Sequence, residues 1–182
     1  FTAEGKYKIT LHSTDKLGQA APAKSVSFTI DNTIPKTVVT LEGTVMTEDE
    51  LVVDGEKTVK VTVTDKHHEF YNVSVKKNGE EYRIDPFVQD GEDVSTQHLF
   101  KEDGVYEISV ESSDKAGNET ALTKTVTIDT GKPDIHFKGV KHQEHYNSET
   151  VDVAVIVNDF TFDKKKTTLE MTRTNGDKVT EL

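Results

Sequence analysis

Five aspartates stand at the ends of alternating apolar runs, where a fold could gather hard oxygen ligands. They are Asp31, Asp65, Asp114, Asp129 and Asp159. Carboxylate oxygens, together with carbonyls and water, suit Ca²⁺, which takes about six to eight such ligands. The residue types therefore predict structural calcium, provided that the surrounding elements bring these side chains to one place.

The segment around Asp114 occurs twice in the chain. STDKLGQAAPAKSVSFTID occupies residues 13–31, and SSDKAGNETALTKTVTID occupies residues 112–129. Matching positions include Asp15 with Asp114, Gly18 with Gly117, and Pro35 with Pro133. The period of about 98 residues is the size of one small sandwich domain.

The repeat predicts three pieces. Residues 35–132 form a complete unit, residues 1–34 match its last third, and residues 133–182 match its first half. The Asn175–Gly176 pair corresponds to Asn78–Gly79 in the complete unit. Because an isolated two-stranded hairpin is only marginally stable, we expect the ends either to fray or to complement each other head to tail between molecules.

Period-2 alternation, as in Val59, Val61 and Val63, predicts strands rather than helices. The predicted strands lie near 36–42, 57–64, 70–77, 80–84, 96–100, 105–112 and 121–129. Asn78–Gly79 predicts a type I′ hairpin turn. Seven short strands separated by turn signals indicate an all-β, two-sheet antiparallel sandwich.

The stretch EDGVYEI, residues 102–108, resembles the D-x-G-x-Y-x-C signature of strand F in immunoglobulin domains. The resemblance implies that Gly104 and Tyr106 form a tyrosine corner, with Tyr7 in the same role in the first copy. The chain has no cysteine, so Val61 against Ile108 is expected to replace the usual disulfide. It has no tryptophan either, so Phe70 or Val73 is expected at the core position of strand C.

A longer stretch, FKEDGVYEISVESSDKAGNETALTKTVTIDTGKP, resembles the end of the immunoglobulin-like repeats found in tandem in bacterial cell-wall-anchored and secreted surface proteins. Gln19 departs from the pattern, because Asn is usual there and Asn118 fills that position in the second copy. The resemblance implies an extracellular protein, on the surface of a Gram-positive bacterium or secreted, built from tandem immunoglobulin-like repeats without disulfides.

The resemblance also implies a non-catalytic spacer whose partners are the neighbouring repeats. Two alternatives stay open: an adhesive module that binds a host protein or glycan, and an accessory domain of a secreted hydrolase. Phe87 and Val88, in the longest irregular stretch, could form an adhesive surface, or Phe87 could close the sandwich edge.

In an immunoglobulin-type sandwich, the start of strand A, the B–C loop and the F–G loop lie at one end. Asp31, Asp65 and Asp114 would then meet at the junction with the preceding domain, and Asp129 with Asp159 at the next. The alternative is turn chemistry, in which Asp114 accepts backbone N–H groups and Gly117 or Asn118 adopts positive φ.

Composition and motifs narrow the remaining functions. The net charge of −11 disfavours binding to nucleic acid or to an anionic membrane face. The sequence lacks a Gly-rich phosphate loop, a G-x-S-x-G elbow and an H-E-x-x-H pair. We therefore expect that the protein is not an enzyme. We expect solvated loops to contain two histidine pairs, His142 with His145 and His67 with His68. The same is expected of the lysine run Lys164–Lys166.

Overall fold

The computed structural model describes residues 1–175 and 178–181. It divides the chain into two compact units, the first Phe1–Ile128 and the second beginning at Asp129. The first unit contains strands β1 (Gly5–Leu11), β2 (Lys24–Ile30), β3 (Lys36–Leu41), β4 (Thr44–Val45), β5 (Glu50–Val53), β6 (Lys57–Thr64), β7 (His68–Lys77), β8 (Glu80–Tyr82), β9 (Val88–Asp90), β10 (Asp93–Phe100), β11 (Gly104–Asp114) and β12 (Glu119–Ile128). The second contains β13 (Asp134–Lys138), β14 (Ala154–Asn158), the 3₁₀ turn η1 (Lys164–Lys166), β15 (Thr172–Asn175) and β16 (Lys178–Glu181).

Residues 36–128 fold into two five-stranded sheets, in the orders β4-β3-β6-β10-β9 and β5-β12-β11-β7-β8. The order β3-β6-β10-β9 matches strands A-B-E-D of an immunoglobulin sandwich, and β12-β11-β7 matches G-F-C. The predicted all-β sandwich is confirmed. One pairing differs from the antiparallel expectation, because β5 runs parallel to β12.

All seven predicted strands form, with ends shifted by a few residues. Asn78 and Gly79 have φ of 52° and 87°, the positive values that a type I′ turn requires, so the predicted hairpin is confirmed. The short strands β4, β5 and β9 were not predicted. They lie at sheet edges, where a few residues of backbone pairing suffice and no long apolar alternation is needed.

The core between the two sheets follows from the alternation of β6 and β11. Val61 and Ile108 are buried in the same hydrophobic cluster, in the positions expected to replace a disulfide. The rings of Phe100 and Tyr106 stack with centroids 4.2 Å apart. Phe70, one candidate for the strand C core position, is 50% exposed, whereas Val73 packs against the core. The expectation for Phe70 is wrong because its position in β7 points away from the facing sheet.

The N-terminal strands β1 and β2 form an antiparallel hairpin in which Tyr7 pairs with Phe28. These two rings stack 5.2 Å apart, and Phe1 contacts both rings edge-on. Thr33 donates a hydrogen bond to Glu4, which connects the hairpin to the linker that follows it. The hairpin thereby leads directly into the sandwich at Pro35.

In the second unit, β13 pairs with β14 and β15 pairs with β16, each pair antiparallel. The lysines of η1 are exposed, as predicted, and so are His142 and His145. Asn175 ends β15, and Gly176 of the predicted Asn175–Gly176 turn lies outside the described residues, as do Asp177 and Leu182. Within the described part of the chain, no helix is long and apolar enough to cross a membrane.

Candidate functional site

The F–G turn is organised by one carboxylate. Asp114 Oδ1 accepts hydrogen bonds from the N–H groups of Ala116 (2.9 Å) and Asn118 (2.8 Å), and Oδ2 accepts from Asn118 Nδ2 (2.8 Å). The residue is 2% exposed. Burial alone would raise its pKa, but the hydrogen bonds from Asn118, Ala116 and Gly117 outweigh burial and hold the pKa of Asp114 below its usual value. These are the contacts of the turn-chemistry alternative.

The same turn occurs at Asp15. Its Oδ1 accepts from the N–H groups of Leu17 (2.9 Å) and Gln19 (2.8 Å). Gly18 and Gly117 have φ of 82° and 87°, so the third residue after each aspartate adopts the same left-handed backbone. The two duplicated sequences therefore form one local structure, and the change from Asn118 to Gln19 does not alter its backbone hydrogen bonds.

Asn118 also contacts the linker. Its side-chain Nδ2 donates to the carbonyl oxygen of Asp31 (3.1 Å) as well as to Asp114. Farther along, Thr120 Oγ1 donates to the carbonyl oxygen of Pro35 (2.6 Å). Asn118 in the F–G turn and Thr120 in β12 thus hold both ends of the five-residue linker 31–35.

The B–C loop contacts the linker through a histidine. His67 Nδ1 donates to Asp31 Oδ2 at 2.6 Å, since an ionised carboxylate can only accept. The Asp31 side chain is 8% exposed and that of His67 is 30% exposed. A charge-assisted hydrogen bond that is partly shielded from water is stronger than one at the surface. Asp31 is therefore held through its side chain by one loop and through its backbone by another.

Asp65 sets the position of that histidine. Its Oδ1 accepts from the His67 N–H (2.6 Å), and its own N–H donates to the carbonyl of Glu92 (3.2 Å). The carbonyl of His67 in turn accepts from the N–H of Lys115 in the F–G turn (3.0 Å). The B–C loop is thereby fixed from both sides before it reaches the linker.

The three predicted aspartates do come to the same end of the sandwich, but they are joined by other side chains. His67 bridges Asp31 and Asp65, and Asn118 bridges Asp31 and Asp114. Across residues 1–175 and 178–181, no group of three or more His, Cys, Asp or Glu side chains could hold a metal ion. The carboxylate oxygens instead accept from protein N–H groups, so the geometry gives no support to calcium, which stays a prediction.

The start of the second unit repeats part of this arrangement. Thr161 Oγ1 donates to Asp129 Oδ2 (2.6 Å), and the Thr161 N–H donates to Asp159 Oδ1 (3.0 Å). Asp129 and Asp159 thus stand where Asp31 and Asp65 do, with Thr161 in the place of His67. The second predicted pair of aspartates is brought together through a hydroxyl group.

The described residues include two tyrosine corners. Tyr106 Oη donates to the carbonyl of Glu102 (2.8 Å), and Tyr7 Oη donates to that of Ala3 (2.6 Å). Burial raises the pKa of the Tyr106 hydroxyl, which keeps it protonated as a donor. Gly104 has φ of 148°, and a Cβ there would lie 2.8 Å from Lys77 Cε. The corner therefore needs glycine at this position.

Sequence reasoning missed the role of His67. The prediction placed His67 and His68 in a solvated loop, whereas both are partly buried and His67 contacts the linker. The signal that could have found it is its place two residues after Asp65, next to the predicted junction. Phe87 is half-buried with its ring 4.9 Å from that of Tyr71, while Val88 is 66% exposed.

The chain contains an all-β sandwich, and side chains at one end of this sandwich bind the linker that precedes it. Comparison with family models gives no match to the chain. No curated protein matches it either.

Proposed function

We propose that this chain is a non-catalytic spacer of a multi-repeat protein, in which tandem immunoglobulin-like sandwiches follow one another through short, bound linkers. The observation that carries the proposal is the linker 31–35, which three side chains of the sandwich hold by hydrogen bonds. A linker that is held in this way restricts the angle between neighbouring domains, as a spacer requires. The duplicated turn at Asp15 and Asp114 and the paired arrangement at Asp129 support the tandem reading.

The setting follows from the resemblance in the sequence. We propose an extracellular location, at the cell wall of a Gram-positive bacterium or in a secreted protein. In that setting the array would hold a distal domain away from its anchor, and the partners of each unit would be its neighbours. The acidic charge of −11 would also keep repeated units from adhering to one another or to anionic polymers.

Small-angle scattering of fused copies of residues 35–132 tests this proposal. The fusion places Lys132 before Pro35 and so recreates a linker of the natural length, with Asp129 in the place of Asp31. Strand β11 has 11 residues, so each sandwich is roughly 36 Å long at about 3.3 Å per residue. The maximum dimension should grow by at least this length per added copy. A compact particle whose dimension barely grows would refute the spacer.

An adhesive role is the second candidate, supported by the exposed Val88 beside Phe87 at the edge strand β9. The test is binding to immobilised host matrix proteins and glycans. Val88→Ser should reduce such binding if this surface is adhesive, whereas Val52→Ser, at a residue 61% exposed in β5, is a matched control. Equal binding by both variants would reject this surface.

A further inference from the structure

A parallel strand pair joins the two segments through which the chain enters and leaves the sandwich. Residues 35–53 carry the chain in from the linker, and β12 carries it out. Near the start of β12, Thr120 Oγ1 donates to the carbonyl oxygen of Pro35. At its end, Ile128 pairs opposite Val53, the last residue of β5. The entering segment therefore runs beside the leaving strand and in the same direction.

A buried lysine fastens the start of this parallel pair. Lys124 lies on the core side of β12, like Val126, and is 6% exposed. Its Nζ donates to the carbonyl oxygen of Glu48 (2.9 Å) and to Asp49 Oδ1 (2.9 Å). The N–H of Thr125 donates to the carbonyl oxygen of Asp49 (2.7 Å). These hydrogen bonds, here called the Lys124 clasp, hold residues 48–49 against β12 just before β5 begins.

Packing of the core does not account for a lysine at this position. The neighbouring core-side residues of β12, Leu122 and Val126, are apolar and pack in the hydrophobic cluster. Replacement of a buried ionic group by an apolar residue of similar volume is often neutral or stabilising at equilibrium. The particular contribution of the ammonium group is directional, because its hydrogen bonds oppose movement of residues 48–49 along β12.

A pull along a chain of linked sandwiches would act on this pair from opposite ends. On the entering side it acts through Pro35, and on the leaving side it acts through Ile128. Because β5 and β12 are parallel, such a pull slides one strand along the other. The hydrogen bonds between the two strands and the Lys124 clasp then carry the force together. A pull that separates two neighbouring strand ends instead breaks the hydrogen bonds one after another.

We propose that the β5–β12 pair and the Lys124 clasp form a contact that delays unfolding of the sandwich when the chain is pulled. The contact acts on the rate of unfolding under force, which is separate from the equilibrium free energy of unfolding. This inference rests on the proposed spacer function, because a spacer between an anchor and a distal domain transmits force along its chain. Force on a single chain tests the contact, whereas scattering of fused copies tests the spacer, so the two proposals fail separately.

Single-molecule force spectroscopy of the 182-residue chain can apply the force in two directions. The sequence has no cysteine, so a pair of introduced cysteines fixes where the handles are attached. Asn32→Cys with Lys132→Cys, both at exposed positions, pulls β5 and β12 from opposite ends. Asp54→Cys, also at an exposed position, with Lys132→Cys pulls on the neighbouring ends of the two strands. The second direction opens the pair from Val53 and Ile128.

Three variants separate the clasp from general stability. Lys124→Met removes the ammonium group and keeps an unbranched apolar side chain on the core side of β12. Asp49→Ala removes one acceptor of the clasp and serves if Lys124→Met does not fold. Lys76→Met, at an exposed position in β7, is the matched control. Urea unfolding gives the equilibrium free energy of unfolding of each variant for comparison.

We expect the unsubstituted chain to unfold at a higher force when it is pulled through positions 32 and 132 than through positions 54 and 132. At constant force in the first direction, Lys124→Met should raise the rate of unfolding roughly tenfold, because it removes hydrogen bonds to a charged group. Asp49→Ala should raise this rate by a smaller factor. Lys76→Met should leave it unchanged.

Equal unfolding forces in the two directions would overturn the proposal. The same holds for a rate of Lys124→Met in the first direction that equals the rate of Lys76→Met. A rise in rate that is as large in the second direction as in the first would also overturn it, because it would reflect a general loss of stability. Were Lys124→Met not to fold, an unchanged rate in Asp49→Ala would have the same consequence.

Discussion

His67 Nδ1 lies 2.6 Å from Asp31 Oδ2, so the B–C loop of the sandwich binds the linker that precedes its first strand. Asn118 holds the backbone of the same aspartate from the F–G turn. Two loops that are far apart in sequence therefore converge on one linker residue. In the proposed spacer, this convergence restrains the chain between two domains.

Substitution of the histidine should loosen the linker. His67→Ala removes the donor to Oδ2 of Asp31, whose side chain is 8% exposed. Loss of a hydrogen bond to a shielded charged group costs about 1–3 kcal/mol. We expect faster hydrogen exchange at the Thr33 N–H, which donates to Asp31, and a lower melting temperature. His142→Ala, at an exposed loop position, is the control, and equal exchange in the two variants would contradict the role of His67.

Asp114 in the F–G turn should make the free energy of unfolding decrease at low pH. Hydrogen bonds hold the pKa of Asp114 below its ordinary value when the protein is folded. Its contribution is therefore complete above the unfolded pKa of about 3.9 and is lost as pH falls from there through the folded pKa. Urea unfolding at several pH values below about 5 should show a steeper loss of stability for the unsubstituted chain than for Asp114→Asn. Identical slopes would show that Asp114 carries no such linkage.

The tyrosine corner can be tested by removing one hydroxyl group. Tyr106→Phe removes the hydrogen bond to the Glu102 carbonyl and leaves the stack on Phe100 in place. We expect a loss of about 1 kcal/mol in the free energy of unfolding, the usual net value of one hydrogen bond. Tyr71→Phe, at a half-buried residue in β7 of the same sandwich whose hydroxyl makes no hydrogen bond within the described residues, serves as the comparison in chemical denaturation. No difference in the midpoint for Tyr106→Phe would mean that the corner is structurally dispensable.

The backbone conformation at position 104 should require glycine. Gly104 has a φ of 148°, a backbone conformation that L side chains rarely adopt, so Gly104→Ala would strain the backbone even if the flexible Lys77 side chain moves aside. Such backbone strain costs about 1–3 kcal/mol. Thermal unfolding should show a clear decrease in melting temperature. The comparison is Ser109→Ala, a substitution within the same strand that requires no unusual φ. An unchanged melting temperature for Gly104→Ala would contradict the predicted backbone strain.

Calcium can be tested directly at the predicted aspartates. The carboxylates of Asp65 and Asp114 already accept from protein N–H groups, so we expect the melting temperature with millimolar calcium and with chelator to agree within about a degree. A ligand that binds only the folded state must raise the melting temperature. A rise of several degrees that Asp31→Asn abolishes would therefore support the calcium prediction.

Much of the sandwich could be predicted because its signals are local. Alternation along β6 fixes which valines face the core, and Asn78–Gly79 alone specifies a hairpin turn. The sequence allowed two roles for Asp114, calcium binding or turn chemistry, and its contacts are those of turn chemistry. In each case the determining residues lie within a few positions of one another.

The rest depends on contacts between distant segments. His67 and Asp31 are 36 residues apart, and only the packed sandwich brings the B–C loop beside the linker. The parallel strand β5 needs β12 as a template, and nothing in ELVV specifies that direction. Phe70 and Val73 were both candidates for the core position of strand C, and their alternation in β7 places Val73 on the core side and Phe70 on the outer face. Contacts with distant parts of the fold determine these features more than residue type does.

In the proposed spacer, bound linkers restrict the angle between successive sandwiches. Residual dipolar couplings of two fused copies of residues 35–132 measure this directly, because each copy reports its own alignment in the same sample. The His67 that faces the internal linker would contact Asp129 there. We predict that both copies fit a single alignment tensor and that His67→Ala in the second copy separates them into two. Two independent tensors in the unsubstituted protein would contradict the claim.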